Sequence, residues 1–227
     1  MKQLVLDIAP PPAPRLDNFV PGGNAVVLAA LRGVLDGSAG ERFVYLWGGS
    51  GCGKSHLSTG FIAAAEAAGM RTCRITGGQD ACRSDDLVNC DLVVVDDVLK
   101  LDADSQIGLF DLINRFRDSM GLLLVTGPVA PMHLKLRPDL ATRLWQCLVY
   151  QVRCLSDEDK QQALTAHAQG RGFTLPVDAA SYLLRYWKRD LPSLMAVLDA
   201  VDRYSLEAKR PITVPLVREV LALLPVE

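Results

Sequence analysis

Phe43-Val-Tyr-Leu-Trp47 runs directly into Gly48-Gly49-Ser50-Gly51-Cys52-Gly53-Lys54-Ser55-His56, and the reading of this stretch decides the fold. An apolar run of five residues is strand material, the glycine-rich stretch is a loop, and the alanine-rich segment Lys54 to Ala68 has helical composition. Gly48 to Ser55 satisfies the pattern G-x-x-x-x-G-K-[ST]. At average residue usage, four specified positions recur by chance in about one per cent of chains this long. The strand–loop–helix setting therefore outweighs the plain alternative, a glycine-rich turn with a surface lysine. In such a setting glycines let successive backbone N–H groups face phosphate oxygens, and the helix N-terminus adds its dipole. Lys54 would then reach the β- and γ-phosphates, and the Ser55 hydroxyl would enter the shell of a Mg2+ ion.

Downstream, Leu92-Val93-Val94-Val95 is a continuous apolar run, as a strand buried on both faces requires. Asp96 and Asp97 end it. A carboxylate there emerges beside the phosphate loop, so Asp96 is the candidate to hold Mg2+ through water. Asp97 stands where many ATPases carry a glutamate that polarises the attacking water, and its shorter arm implies slow hydrolysis. Leu122 to Val125 is a third apolar strand, and Thr126 at its end is placed to touch the γ-phosphate or the attacking water. Met70 to Ile75 and Leu148 to Val152 complete the strands, while Asn24 to Leu35 and Gln106 to Asp118 have helical spacing. Strands alternating with helices predict an α/β fold with a parallel sheet flanked by helices.

From Ser156 onward only helical patterns occur: Ser156 to Gln169, Pro176 to Tyr186, Leu191 to Leu206 and Val214 to Leu224. Ser156 with acidic residues after it is a helix start, and Gly170 and Gly172 close that helix. At the other end, four prolines between Ala9 and Arg15 block helix and central strand. The expected organisation is a leader over 1–8, a proline-rich spacer over 9–15, an α/β domain over 16–155 and a small all-helical domain over 156–227.

Apolar residues make up 49% and charged residues 22% of the 227, which is globular composition. Twenty-four basic residues against 26 acidic ones leave a net charge of −2, which argues against a strongly basic nucleic-acid coat. No apolar run approaches the ~20 residues of a membrane span, and the start lacks a signal peptide's apolar stretch. A cytoplasmic protein is expected. The six cysteines form no C-x-x-C pair and the three histidines are dispersed, so unpaired, reduced thiols are expected as well. No N-K-x-D base-reading motif occurs, which disfavours a GTPase.

The phosphate-loop and Asp96–Asp97 pair, followed by Arg137-Pro-Asp-Leu-Ala-Thr-Arg-Leu144, Leu148-Val-Tyr150 and Leu155-Ser-Asp-Glu-Asp-Lys160, resembles an AAA+ module of the DnaA clade. Asp111-Leu-Ile-Asn-Arg115 and Leu198-Asp-Ala-Val-Asp202 resemble the Hda family within that clade. The likeness runs over nearly the whole chain. It implies an AAA+ nucleotide-binding domain followed by a helical lid domain, with ADP or ATP and Mg2+ bound among Gly48, Gly49, Ser50, Gly51, Cys52, Gly53, Lys54, Ser55 and His56. Phe19 and Val20 match positions that seat the adenine, and Arg189 matches the lid arginine called sensor 2. Arg143 matches the arginine finger, which enters a neighbouring subunit's active site. Pro128 to Pro131 departs from the family where a charged residue often follows the sensor strand. Pro192, early in the helix after Arg189, is expected in its first turn.

Gln3-Leu4-Val5-Leu6-Asp7-Ile8 resembles the peptide by which Hda proteins dock on the DNA sliding clamp, with Gln3, Leu4, Leu6 and Ile8 as contacts. A glutamine and alternating apolar side chains on an extended lead can fill a preformed pocket. The resemblance thus implies a regulator that docks on the clamp and stimulates ATP hydrolysis by DnaA, preventing re-initiation of replication, and it leaves a homodimer open. No helix-turn-helix domain or basic helix follows the lid, so sequence-specific DNA binding is not expected. Two other readings stand beside it: a DnaA-like helicase loader or transposition helper, and a small P-loop kinase.

Overall fold

The computed structural model describes residues 12–77, 87, 89–188 and 190–224. These form two compact units, one of residues 14–154 and one whose body is the chain from Leu155 onward.

In the first unit, α1 (Ala25–Leu35) precedes β1 (Phe43–Trp47), α2 (Lys54–Ala67), β2 (Thr72–Ile75), β3 (Leu92–Val95), α3 (Ala103–Asp118), β4 (Leu122–Gly127), α4 (Pro138–Trp145) and β5 (Leu148–Gln151). The strands make one sheet in the order β2-β3-β4-β1-β5, and every pairing is parallel. All four residues of β3 are fully buried, as expected of a strand covered on both faces. Alternation along the strands assigns the two cores. Val93 and Val95 join Leu109, Leu112 and Ile113 of α3, whereas Leu92 and Val94 join Leu57, Phe61 and Ala65 of α2.

Because the strands are parallel, β1, β3 and β4 deliver Gly48, Asp96 and Thr126 to the same edge of the sheet. β4 lies between β1 and β3, so the residues that end three separate strands become neighbours.

The elements differ from expectation mainly at their ends. α3 starts three residues before Gln106 because the Asp102 carboxylate accepts from the Ser105 backbone N–H at 2.8 Å. α4 has no counterpart in the sequence reading. Its eight residues carry Pro138 in the first turn and bury Leu140 and Leu144, one turn apart, too short a pattern to stand out as periodicity.

The second unit holds α5 (Asp157–Gly170), α6 (Val177–Tyr186), α7 (Leu191–Ala208) and α8 (Val214–Leu223) around its own core, including Leu164, Leu183, Leu198, Val201 and Val217. Ser156 accepts from the Asp159 backbone N–H at 3.0 Å, while the Asp159 carboxylate accepts from the Ser156 backbone N–H at 3.0 Å, a reciprocal capping box. Pro192 does sit in the first turn of α7, behind an Asp190 cap.

The thiols require a correction. Cys52 is bonded to Cys154 and Cys73 to Cys90, pairs that the fold assembles and no local spacing displays. Cys147 is a free, buried thiol, and burial pushes its pKa up to about 12. Cys82 lies outside the described residues. No described helix is long and apolar enough to cross a membrane.

Candidate nucleotide-binding site

The phosphate loop is built from β1 into α2. Gly48 donates its N–H to the Gly127 carbonyl at 3.3 Å, tying the loop's first residue to β4. A side chain on Gly48 would collide with the Val152 carbonyl oxygen, so only glycine allows the loop to pass this close to the end of β5. At Gly53 the requirement is conformational, with φ at +95°. A Cβ there would lie 2.9 Å from the Phe19 ring. The loop is thus a cradle that side chains would fill, which fits a phosphate group approaching bare backbone.

Lys54 opens α2 and donates to the carbonyls of Gly48 at 2.6 Å and Gly49 at 2.7 Å. Partial burial lowers the pKa of its ammonium, and the charges of Asp97 and Asp96 offset part of that. The two carboxylates therefore act on the loop lysine from the end of β3. Ser55, exposed, follows in the first turn of α2. His56 turns the other way: its Nε2 lies 3.0 Å from the Arg15 carbonyl and 2.9 Å from Asn18 Oδ1. Both are acceptors, so Nε2 carries the proton and pins the segment that leads to Phe19. The Phe19 ring is 5.5 Å from the His56 ring, half-buried beside the loop, with Val20 half-buried next to it.

Thr126 of β4 is fully buried and organises both acids that follow β3. Its hydroxyl donates to Asp96 Oδ1 at 3.0 Å and accepts from the Asp97 backbone N–H at 2.8 Å. Asp97 adopts φ +62°, a left-handed conformation that Asp tolerates better than most residues. Its Oδ1 is buried without a hydrogen-bond partner, an unused acceptor at the edge where the loop lies. The second oxygen of Asp96 accepts from an Arg74 guanidinium N–H at 2.6 Å. Arg74, on β2, is a site residue that sequence reasoning missed.

Ser55 and Asp96 offer a hydroxyl and a carboxylate oxygen, hard donors that suit Mg2+. One of the two Asp96 oxygens is already engaged by Arg74.

Arg143 stands apart, in the last turn of α4. Its guanidinium carbon lies 5.5 Å from the Phe110 ring centroid, and among the described residues no carboxylate pairs with it. Trp145 beside it is exposed. Arg189 and the leader residues Gln3, Leu4, Leu6 and Ile8 lie outside the described residues.

Residues 157–221 match the family described as Hda, lid domain. Among solved structures, the chain resembles domain III of the replication initiation protein DnaA from Thermotoga maritima at 18% identity and TM-score 0.72, covering 94% of this chain and 98% of that one. AMPPCP-bound DnaA from Aquifex aeolicus matches at 18% identity and TM-score 0.71, covering 90% of this chain and 68% of that one. A point mutant of RuvB from Thermotoga maritima matches at 17% identity and TM-score 0.68, covering 94% of this chain and 73% of that one. At these identities the structures establish a shared fold, a parallel five-stranded sheet followed by a helical region.

Proposed function

From a helical unit that matches the Hda lid domain, carried on an AAA+ fold of the DnaA kind, we propose that this chain is a regulatory AAA+ protein that binds adenine nucleotide and activates ATP hydrolysis by DnaA. The observation that carries the proposal is the lid match over residues 157–221, which points to the regulator within a fold that initiators share. AMPPCP bound to the Aquifex DnaA supports the choice of adenine nucleotide.

In this reading the chain's own site holds nucleotide more than it turns it over. The loop glycines present backbone N–H groups to the phosphates, and Lys54, now on the carbonyls of Gly48 and Gly49, swings to them. Phe19 and Val20 line the base side. Mg2+, when bound, neutralises phosphate charge, with Ser55 and Asp96 as the residues that would hold it. Asp97, with one unpartnered oxygen, is the group that would orient a water.

The activating group is Arg143. With no carboxylate among the described residues to neutralise it, the guanidinium supplies positive charge to a neighbouring site, where the transition state of phosphoryl transfer gains negative charge. Gln3, Leu4, Leu6 and Ile8 would dock on the sliding clamp, confining the activity to clamps loaded on DNA.

The test is an assay of ATP hydrolysis by DnaA with clamp-loaded DNA. Arg143→Ala should abolish the stimulation, a loss on the order of a thousandfold for a full arginine finger, while ADP affinity stays unchanged. Changing Gln3 and Leu6 together to Ala should lower the stimulation on clamp-loaded DNA to the level seen without the clamp. Absence of stimulation by the unmodified protein under every nucleotide condition would defeat the proposal.

A further inference from the structure

β2 and β3 pair in parallel with Arg74 opposite Val94. Alternation then places Val94 and Asp96 on one face of β3, the face whose core is shared with α2. Arg74 reaches across that face in two directions. One terminal nitrogen donates to Thr59 Oγ1 of α2 at 3.1 Å, and the other donates to Asp96 Oδ2 at 2.6 Å. The first bond fixes the plane of the guanidinium, so the second is a held contact between side chains that are only 34% and 17% exposed. With Thr126 donating to Oδ1 at 3.0 Å, both oxygens of Asp96 have a protein donor.

A guanidinium keeps its proton at any physiological pH, and its hydrogen bonds to carboxylate are charge-assisted. Arg74 therefore supplies permanently, from within the chain, the positive charge that a divalent ion would bring to Asp96. It also offsets the repulsion between that carboxylate and an incoming diphosphate. A metal-bound water donating to Asp96 therefore meets a carboxylate whose charge Arg74 already balances. We infer that Arg74 is a positioning residue that substitutes for the divalent cation at Asp96, so that the chain binds nucleoside diphosphate with little requirement for Mg2+. This rests on the nucleotide-site reading proposed above.

The experiment measures ADP affinity of the full chain by calorimetry, in EDTA and in millimolar magnesium chloride, for the unmodified protein, Arg74→Met and Arg74→Lys. The unmodified protein should show affinities in the two conditions within about threefold of each other. Arg74→Met should bind at least ~tenfold more weakly in EDTA than in magnesium, whereas Arg74→Lys, which keeps the charge, should restore the insensitivity. With Mn2+ in place of Mg2+, electron paramagnetic resonance should show tighter ADP-dependent metal uptake by Arg74→Met than by the unmodified protein. A tenfold or larger magnesium dependence in the unmodified protein overturns the inference, as does an Arg74→Met ratio equal to the unmodified one. Should Arg74→Met fail to fold, the ratio for the unmodified protein decides alone. Failure of that protein to bind ADP in either condition would overturn the nucleotide-site reading itself, and the two failures are distinguishable because the others leave ADP binding intact.

Discussion

Thr126 satisfies two demands with one hydroxyl: it donates to Asp96 and accepts from the Asp97 backbone. Both bonds are partly buried, and the second steadies a residue held at φ +62°. Replacing Thr126 with Val keeps the shape but strands a partly buried N–H, which costs on the order of 1 kcal/mol. Urea denaturation should register that loss, and Thr126→Ser should recover most of it. A loss no greater for Val than for Ser would mean that the hydroxyl does not organise this edge. The residue scale is also where sequence reading reached least far. Thr126 stood out because it ends an apolar strand, but its bond to Asp97 spans 29 positions. Arg74 was invisible for a related reason: an arginine in a short strand carries no mark of the carboxylate it will meet on the neighbouring one.

Among the elements, strands and long helices were legible because burial leaves a pattern. Leu92 to Val95 has no polar face, which only a strand covered on both sides can afford, and Ser156 with Asp159 spells out the start of α5. α4 was missed because two turns give a single repeat, Leu140 to Leu144. Pairs such as Cys52 with Cys154 come from sheet order, to which local chemistry is blind. In the helical unit, α7 and α8 are joined by a polar cluster: the Tyr204 hydroxyl donates to Glu219 Oε1 at 2.6 Å, and Arg210 donates to Oε2 at 2.9 Å. Tyr204 first, and Arg210 with it, hold the Glu219 carboxyl below its ordinary value of 4.5. A carboxyl depressed in the folded state stabilises above its unfolded pKa, and that contribution is lost as pH falls through the folded value. The unit should therefore lose stability on acidification below about pH 4.5, and Tyr204→Phe should flatten that part of the profile, as followed by circular dichroism. An identical acid limb in Tyr204→Phe would assign the effect to other carboxylates.

At the scale of the whole molecule, two units that share no core mean that a ligand for one need not stabilise the other directly. The phosphate loop belongs entirely to residues 14–154, so adenine nucleotide should act on the transition of that unit. At about one hundred times its Kd, ADP adds roughly 2.7 kcal/mol to whatever it binds. For a unit of this size each kcal/mol raises Tm by ~2–4 °C, so a shift of about 5–11 °C is expected. Lys54→Ala removes the cation facing the phosphates and should leave little of that shift at the same ADP concentration. Ser156→Ala is the contrasting variant: it deletes a cap in the helical unit, costs that unit about 1 kcal/mol and touches nothing in the loop. Its baseline should fall while its ADP-induced shift stays at the full size. A scanning calorimetry series over these three proteins thus separates the site from the fold. If Ser156→Ala abolished the nucleotide shift as thoroughly as Lys54→Ala, nucleotide binding would depend on the integrity of the helical unit, and the loop alone would not account for the site.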